Sequence, residues 1–166
     1  MAAGSDDRLD HGHHTSGRQP GDQDPDRWQE SLRTYCRDLR AWYRTHPGLL
    51  ALARAEDLTA LASPELLRID DAVVGFFLRI GLSPHDAHRA WAITVLQVAG
   101  FAEVWDAWHD RQPAGADPAG WTGLPPIPLG GLPHLARVAE HSVSTEPGLL
   151  FESVLDMLVA GIEAML

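Results

Sequence analysis

A chain of 166 residues, 45% of them hydrophobic, has the length of one domain and enough apolar content for a real core. Its formal charge of -10, from 13 Lys plus Arg against 23 Asp plus Glu, repels phosphate backbones and anionic lipid, so direct nucleic-acid contact is not expected. One cysteine, Cys36, excludes an internal disulfide framework, and the absence of an apolar h-region or a run of about 18 apolar residues predicts a soluble, cytoplasmic protein.

Residues 1–27, "MAAGSDDRLDHGHHTSGRQPGDQDPDR", hold one leucine, no aromatic and no β-branched aliphatic. Such a segment buries too little surface to offset the entropy of ordering it, which predicts a disordered tail. From Trp28 the pattern changes. Trp28, Leu32, Tyr35, Cys36, Leu39, Trp42 and Tyr43 recur at three-four spacing, with Arg33, Arg37, Asp38, Arg40 and Arg44 mostly on the opposite face, which predicts an amphipathic helix. It should end near Thr45, because a residue before proline is pushed out of the α region, and Pro47 suits the first turn of a new helix.

In "SPELLRIDDAVVGFFLRIGLS", Ser63 and Pro64 form a helix start and Gly81 stands where a C-capping glycine belongs. Ser83 and Pro84 repeat the start signal. Between Ala90 and Ala102 the next helix, predicted over 84–109, is apolar except for Thr94 and Gln97. A helix apolar all round requires either a central position or a second molecule over one face. Residues 111–131 carry five glycines and five prolines and read as a long loop. "LPHLARVAEHSV" reads as a short amphipathic helix. The final segment, 148–166, sets Phe151, Val154, Leu155, Leu158, Val159, Ile162 and Leu166 along one stripe. About six helices and no strand predict an all-α helical bundle.

The order and spacing of these segments resemble a known family. A helix ending in "YRTHPGLLALA", then "SPELLRIDDAVVGFFLRIGLSPHDAHRAWAITVLQVAGFAEVW", a loop, "LPHLARVAEHS" and the closing "LLFESVLDMLVAGIEAML" together resemble the C-terminal ligand-binding and dimerisation domain of the tetracycline-repressor (TetR) family. The resemblance covers roughly residues 28–166. In that family a three-helix DNA-binding domain precedes the first of these helices. Only 27 residues precede Trp28, too few for three helices of at least ~8 residues each plus turns. The sequence is therefore expected to lack that half, and operator binding is not carried over.

The resemblance implies a ligand cavity inside each subunit, between the first long helix, the segment 65–80 and the long apolar helix. The side chains it points to are Tyr35, Cys36, Trp42, Phe76, Phe77, Trp91, Thr94, Gln97 and Phe101. Thr94 and Gln97 are polar groups on an apolar helix, of the kind that orients a ligand. The alternative is that Thr94 bonds its own helix carbonyl and Gln97 crosses a dimer seam. For any individual aromatic, core packing is the favoured reading. The resemblance also implies a homodimer built from helices 84–109 and 148–166, with Trp105, Phe151, Leu155, Leu158, Val159 and Ile162 at the interface.

No cofactor or metal is expected. His11, His13 and His14 lie in the acidic tail, and His85 and His88 share a helical face without a third ligand. Glu103, Asp106 and Asp110 share a face by spacing and read as a solvated acidic stripe, the alternative being paired carboxylates that serve as acid and base if one is buried. The leading expectation is a TetR-like effector-binding and dimerisation module, linked to transcription regulation without direct DNA binding and taking a hydrophobic small molecule. Two alternatives stand beside it: a cyclase- or hydrolase-like enzyme using the helical pocket, and an adaptor that heterodimerises with a full-length regulator. No nucleophile-base-acid constellation supports the enzyme.

Overall fold

The computed structural model of the chain describes residues 25–46, 64–111, 131–139 and 146–166. Every regular element among the described residues is helical. A 3-10 turn, Pro25–Arg27, leads into α1, Trp28–Thr45, and α2 spans Pro64–Arg79. Helix α3 spans Pro84–Gly100 and continues through a π-helical turn, Phe101–Asp106, into a last α turn, Ala107–His109. Helix α4 is Pro133–Ala139 and α5 is Pro147–Glu163. The expected all-α architecture is the one the chain adopts. The tail up to residue 24, the helix expected from Pro47, Ser63 and most of the Gly/Pro-rich loop lie outside the described residues.

The helix ends follow local chemistry. Helix α2 closes where Gly81, at φ +111°, reverses the chain into the left-handed region that suits a residue without Cβ. There the Leu82 N–H reaches back to the Phe77 carbonyl at 3.2 Å and the Gly81 N–H to that of Leu78 at 3.1 Å. This is the paired bonding of a Schellman cap, and Leu82 and Phe77 are both buried. Ser83 then caps α3: its Oγ accepts from the Asp86 N–H at 3.2 Å and its hydroxyl donates to Asp86 Oδ2 at 2.7 Å. Glu146 caps α5 with both oxygens, accepting from the Gly148 and Leu149 N–H groups at 2.9 and 2.8 Å.

One core joins four helices. Trp28, Leu32 and Cys36 of α1 meet Val73, Phe76 and Phe77 of α2, Ala87, Ala90 and Val98 of α3, and Phe151, Leu155, Leu158, Val159 and Ile162 of α5. Small alanines on α3 let its neighbours approach, and α1 packs against α3, the π turn and α5, while α2 packs on α3. Helix α3 is not covered all round. Ile93, Leu96 and Val104 stand 37%, 72% and 67% exposed.

The arginines of α1, expected on a solvent face, instead tie the bundle together. Arg33 pairs with Asp156 at 2.7 Å and Arg37 with both oxygens of Glu152 at 2.8 and 2.9 Å. Arg40 grips Asp106 bidentately at 2.7 and 2.5 Å, and Arg44 reaches Asp110 at 3.1 and 3.0 Å. Partner numbers fall along α5 and rise along the end of the α3 run, so α1 is antiparallel to the first and parallel to the second. Three of these pairs are solvated and worth little each. The Arg40–Asp106 pair differs, with side chains only 13% and 1% exposed. The Arg40 guanidinium also sits 4.8 and 4.5 Å from the ring centres of Phe101 and Phe151, a cation held between aromatic faces.

The π turn is what brings Asp106 inward. The buried stripe Ala90, Thr94, Val98, Ala102, Asp106 advances in steps of four, and each such step drifts about 40° around an α-helix. A wider π turn takes back that drift. The acidic stripe expected at Glu103, Asp106 and Asp110 is therefore not uniformly solvated, because the turn buries its middle member against Arg40.

Two outcomes follow from this pairing. Arg40→Met or Asp106→Asn alone should cost about 3–5 kcal/mol, because each strands a buried charge, whereas Arg40→Met with Asp106→Leu should recover most of the loss; urea denaturation measures both. The second concerns acid. The Arg37 hydrogen bond holds the Glu152 carboxyl below its usual range, against the opposing effect of burial, so its stabilisation is present above the unfolded pKa and lost as pH falls through the lowered folded value. The gap in melting temperature between wild type and Glu152→Gln should accordingly close as pH falls from 7 to about 3.

Candidate functional site

Helices α1 and α2 both pack on α3, and each carries half-buried side chains besides its core residues. Helix α1 contributes Tyr35, Leu39 and Tyr43, and α2 contributes Asp70 and Val74, all half-buried. Trp91 lies on the side of α3 that meets α2, and Glu103, half-buried, lies three turns further along the run. The Trp91 indole N–H donates to Asp70 Oδ1 at 3.2 Å, which fixes both side chains across the α2–α3 contact. Glu103 Oε1 is buried and accepts no hydrogen bond.

Electrostatics join these groups. Burial raises the Asp70 carboxyl above its usual range, and the Trp91 hydrogen bond opposes that shift. Burial likewise raises the Tyr43 hydroxyl, with further contributions from the carboxylates of Asp70 and Glu103. Tyr35 is raised first by burial, then by Cys36, Asp70 and Tyr43. Burial is the first cause of each of these shifts, and the carboxylates add to those of the two phenols. Each of these two tyrosines stays neutral at physiological pH and can donate a hydrogen bond.

The residues expected to line a cavity divide sharply. Tyr35 on α1 and Trp91 on α3 are half-buried, and Trp91 bonds Asp70. Cys36, Phe76 and Phe77 do not line open space: they are 0%, 3% and 0% exposed in the core, and burial pushes the Cys36 thiol up to about 12. Phe101 packs edge-on against Phe151 with ring centres 5.0 Å apart, which makes it an α5 contact. Trp42 is 36% exposed and stacks on His46 with centroids 4.6 Å apart. Thr94 donates to the Ala90 carbonyl of its own helix at 2.7 Å, so its hydroxyl is used within the helix. Gln97 lies exposed on the opposite, outer side of α3.

That outer side forms the second feature. Between α3 and α5 runs a shallow groove of about 180 Å³, lined by Ala90, Ile93, Gln97, Val154, Met157, Leu158, Gly161, Ile162 and Met165. Met157 at 69% and Leu96 at 72% exposure stand on its banks, and a Cβ at Gly100 or Gly161 would meet nothing within 4 Å. Phe151, Leu155, Leu158, Val159 and Ile162, expected at a dimer seam, are 1%, 0%, 7%, 7% and 1% exposed and fill the core of their own protomer. The stripe they form is the inward one. Trp105 is half-buried beside Trp108, with ring centres 5.3 Å apart and its indole N–H buried without a partner.

Asp70, Tyr43 and Glu103 escaped the sequence reading. Asp70 sits in a run of charged residues at the exposed-looking end of α2, Tyr43 read as one more residue of an apolar stripe, and Glu103 read as part of a solvated stripe. Among the described residues no group of three His, Cys, Asp or Glu is placed to hold a metal ion; His11, His13 and His14 lie outside them. His88 is exposed and tilts against Trp91, with centroids 5.5 Å apart.

The Asp70–Trp91 bond makes a measurable forecast. Trp91→Phe removes the donor that lowers the Asp70 carboxyl, so its already raised titration should move further up, read from the side-chain carboxyl signal by NMR. An acid raised on folding favours the folded state most below its unfolded pKa, and that contribution fades as pH rises through the folded value. An unchanged Asp70 titration in Trp91→Phe would show that the bond does not form in solution.

No curated protein and no solved structure matches the chain. The family model of the tetracyclin repressor-like C-terminal domain matches residues 19–166, beginning ahead of α1 and running to the end of the sequence given. With its all-α architecture and a family model matched over residues 19–166, the chain belongs to the tetracyclin repressor-like C-terminal domain family.

Proposed function

We propose that this domain is the effector-binding and dimerisation half of a transcription regulator, acting in the cytoplasm, with a small hydrophobic effector held on the α1–α2–α3 face. The observation that carries the reading is the uncovered apolar surface on α3 and α5. Ile93, Leu96, Val104, Leu149 and Met157 stand 37–72% exposed, and a second copy laid across them would bury what water now meets. Family membership supports the same assignment, since these domains bind effectors and dimerise. The -10 charge argues that the domain itself does not touch duplex DNA. No helix among the described residues is long and apolar enough to cross a membrane.

The burial of Phe151, Leu155 and Ile162 in the protomer core supports a seam one face around α5. The small residues Ala160, Gly161 and Ala164 flank Met157 on the exposed side, which lets two helix backbones approach closely, and Gln97 lies where its amide would face the partner copy. Leu96→Glu and Met157→Glu each place a charge in that seam. Both should sediment as monomers with wild-type helical circular dichroism, because neither side chain supports the protomer core. Leu155→Glu, by contrast, should unfold the protomer itself. Wild-type sedimentation of the first two variants would place the interface elsewhere.

A further inference from the structure

We propose that α5 pairs antiparallel with its own copy in one fixed register, each Met157 seated over the partner's Gly161. The proposal deepens the dimerisation reading of the outer face and rests on it. Its first ground is a glycine that the protomer does not need. Gly161 stands inside α5, where glycine is a destabilising choice. Its φ is not positive, and a Cβ there would meet nothing within 4 Å, so neither the backbone nor the packing of its own chain calls for it. It lies in the wall of the α3–α5 groove, and four residues earlier Met157 stands 69% exposed on the bank. One helix face thus carries a protruding side chain and a gap one turn apart. Helix α3 repeats the arrangement on the same outer side, with Leu96 exposed and Gly100 equally open to a Cβ.

The second ground is the order of sizes along α5. Val154, Met157, Gly161 and Ala164 follow at helical spacing and share one side of the helix. The larger pair comes first and the smaller pair last. An antiparallel pairing with its two-fold axis level with Val159 sets Met157 against the partner's Gly161 and Val154 against the partner's Ala164, large on small throughout. A parallel pairing would set each residue against its own kind. The third ground is charge. No residue lining the groove is charged, and the acids of α5 lie on the other flank, where Glu152 meets Arg37, Asp156 meets Arg33 and Glu163 meets Gln29. A chain of net charge -10 repels its copy, and an uncharged strip sets no carboxylate against another. A small molecule filling a groove of about 180 Å³ would leave Leu96 and Met157 in water on its banks. A second copy covers both and offers the gap that receives one of them.

Two variants of the full chain test the register against wild type, by sedimentation velocity and native mass spectrometry. Gly161→Leu fills the gap and should weaken self-association roughly tenfold. Melted at a dilution where both proteins are monomeric, it should unfold no lower than wild type, because its own protomer gains helix propensity. Met157→Ala removes the protruding side chain and should weaken self-association roughly threefold. Mixed in equal amounts, the two variants should form heterodimers in excess of random pairing, since the trimmed side chain meets the filled gap and the intact Met157 meets the intact one. No effect confined to one chain produces that preference. Where circular dichroism shows that leucine disturbs the fold, Gly161→Ala takes its place and should melt higher yet dimerise more weakly. A monomeric wild type would overturn the dimerisation reading and the register together. A dimeric wild type with unchanged variants, or weakened variants that mix only at random, would overturn the register and leave the dimer standing.

Discussion

A single buried ion pair organises this bundle. Arg40 and Asp106 come from α1 and from the π turn that extends α3, and their union sets how deep α1 sits against that turn. Removing either charge leaves the other in a medium that cannot hydrate it, so the pair is demanding as much as it is stabilising. Its surroundings answer the demand: a bidentate geometry on one side of the guanidinium and the rings of Phe101 and Phe151 on its faces. Phe151 belongs to α5, so the same cation that anchors the π turn also touches the helix across the core. The outer pairs add direction more than energy, aligning α1 against α5 at one end and against the α3 run at the other.

Helix α3 presents different chemistry on different sides. Trp91 faces α2, and Ile93, Leu96, Gln97 and Val104 are exposed. The helix that reads as apolar all round is thus divided between an interior stripe of small residues, a half-buried side and an uncovered face. Any ligand held by Trp91 or Glu103 contacts the very helix whose reverse side meets the proposed partner copy. That is the physical arrangement a coupling between effector and assembly requires, because one rigid element borders both.

The fold was legible because its signals are local. Proline at 64 and 84, the serine cap at 83, the glycine at 81 and the His-Pro stop after Thr45 each act within one turn of chain, and the helices begin and end there. The all-α architecture follows from the period of the apolar residues. The site was less legible, since side-chain periodicity states which residues share a face and not which face meets what. The α5 stripe of Phe151, Leu155 and Ile162 looks the same in sequence whether it packs on its own protomer or on a second one. Asp106 was misread for a related reason: an acid at helical spacing reads as solvated, and its burial depends on an arginine 66 positions away and on a π register with no local signature. Thr94 was legible only as a choice between two readings, and the hydrogen bond to Ala90 decides it for the helix.

The arginine pairs of α1 also have a bearing on synthesis. Their partners lie 66 residues downstream for Arg40 and Arg44, and 115 and 123 for Arg37 and Arg33. A nascent α1 leaving the ribosome therefore carries arginines whose partners on other helices are not yet made, with only the Arg37–Glu30 pair available within the helix, and an apolar face that nothing yet covers. Contacts this distant in sequence close late and at an entropic disadvantage. Helix α1 emerges before the helices it docks on, and chaperone engagement of this part of the nascent chain would centre on it.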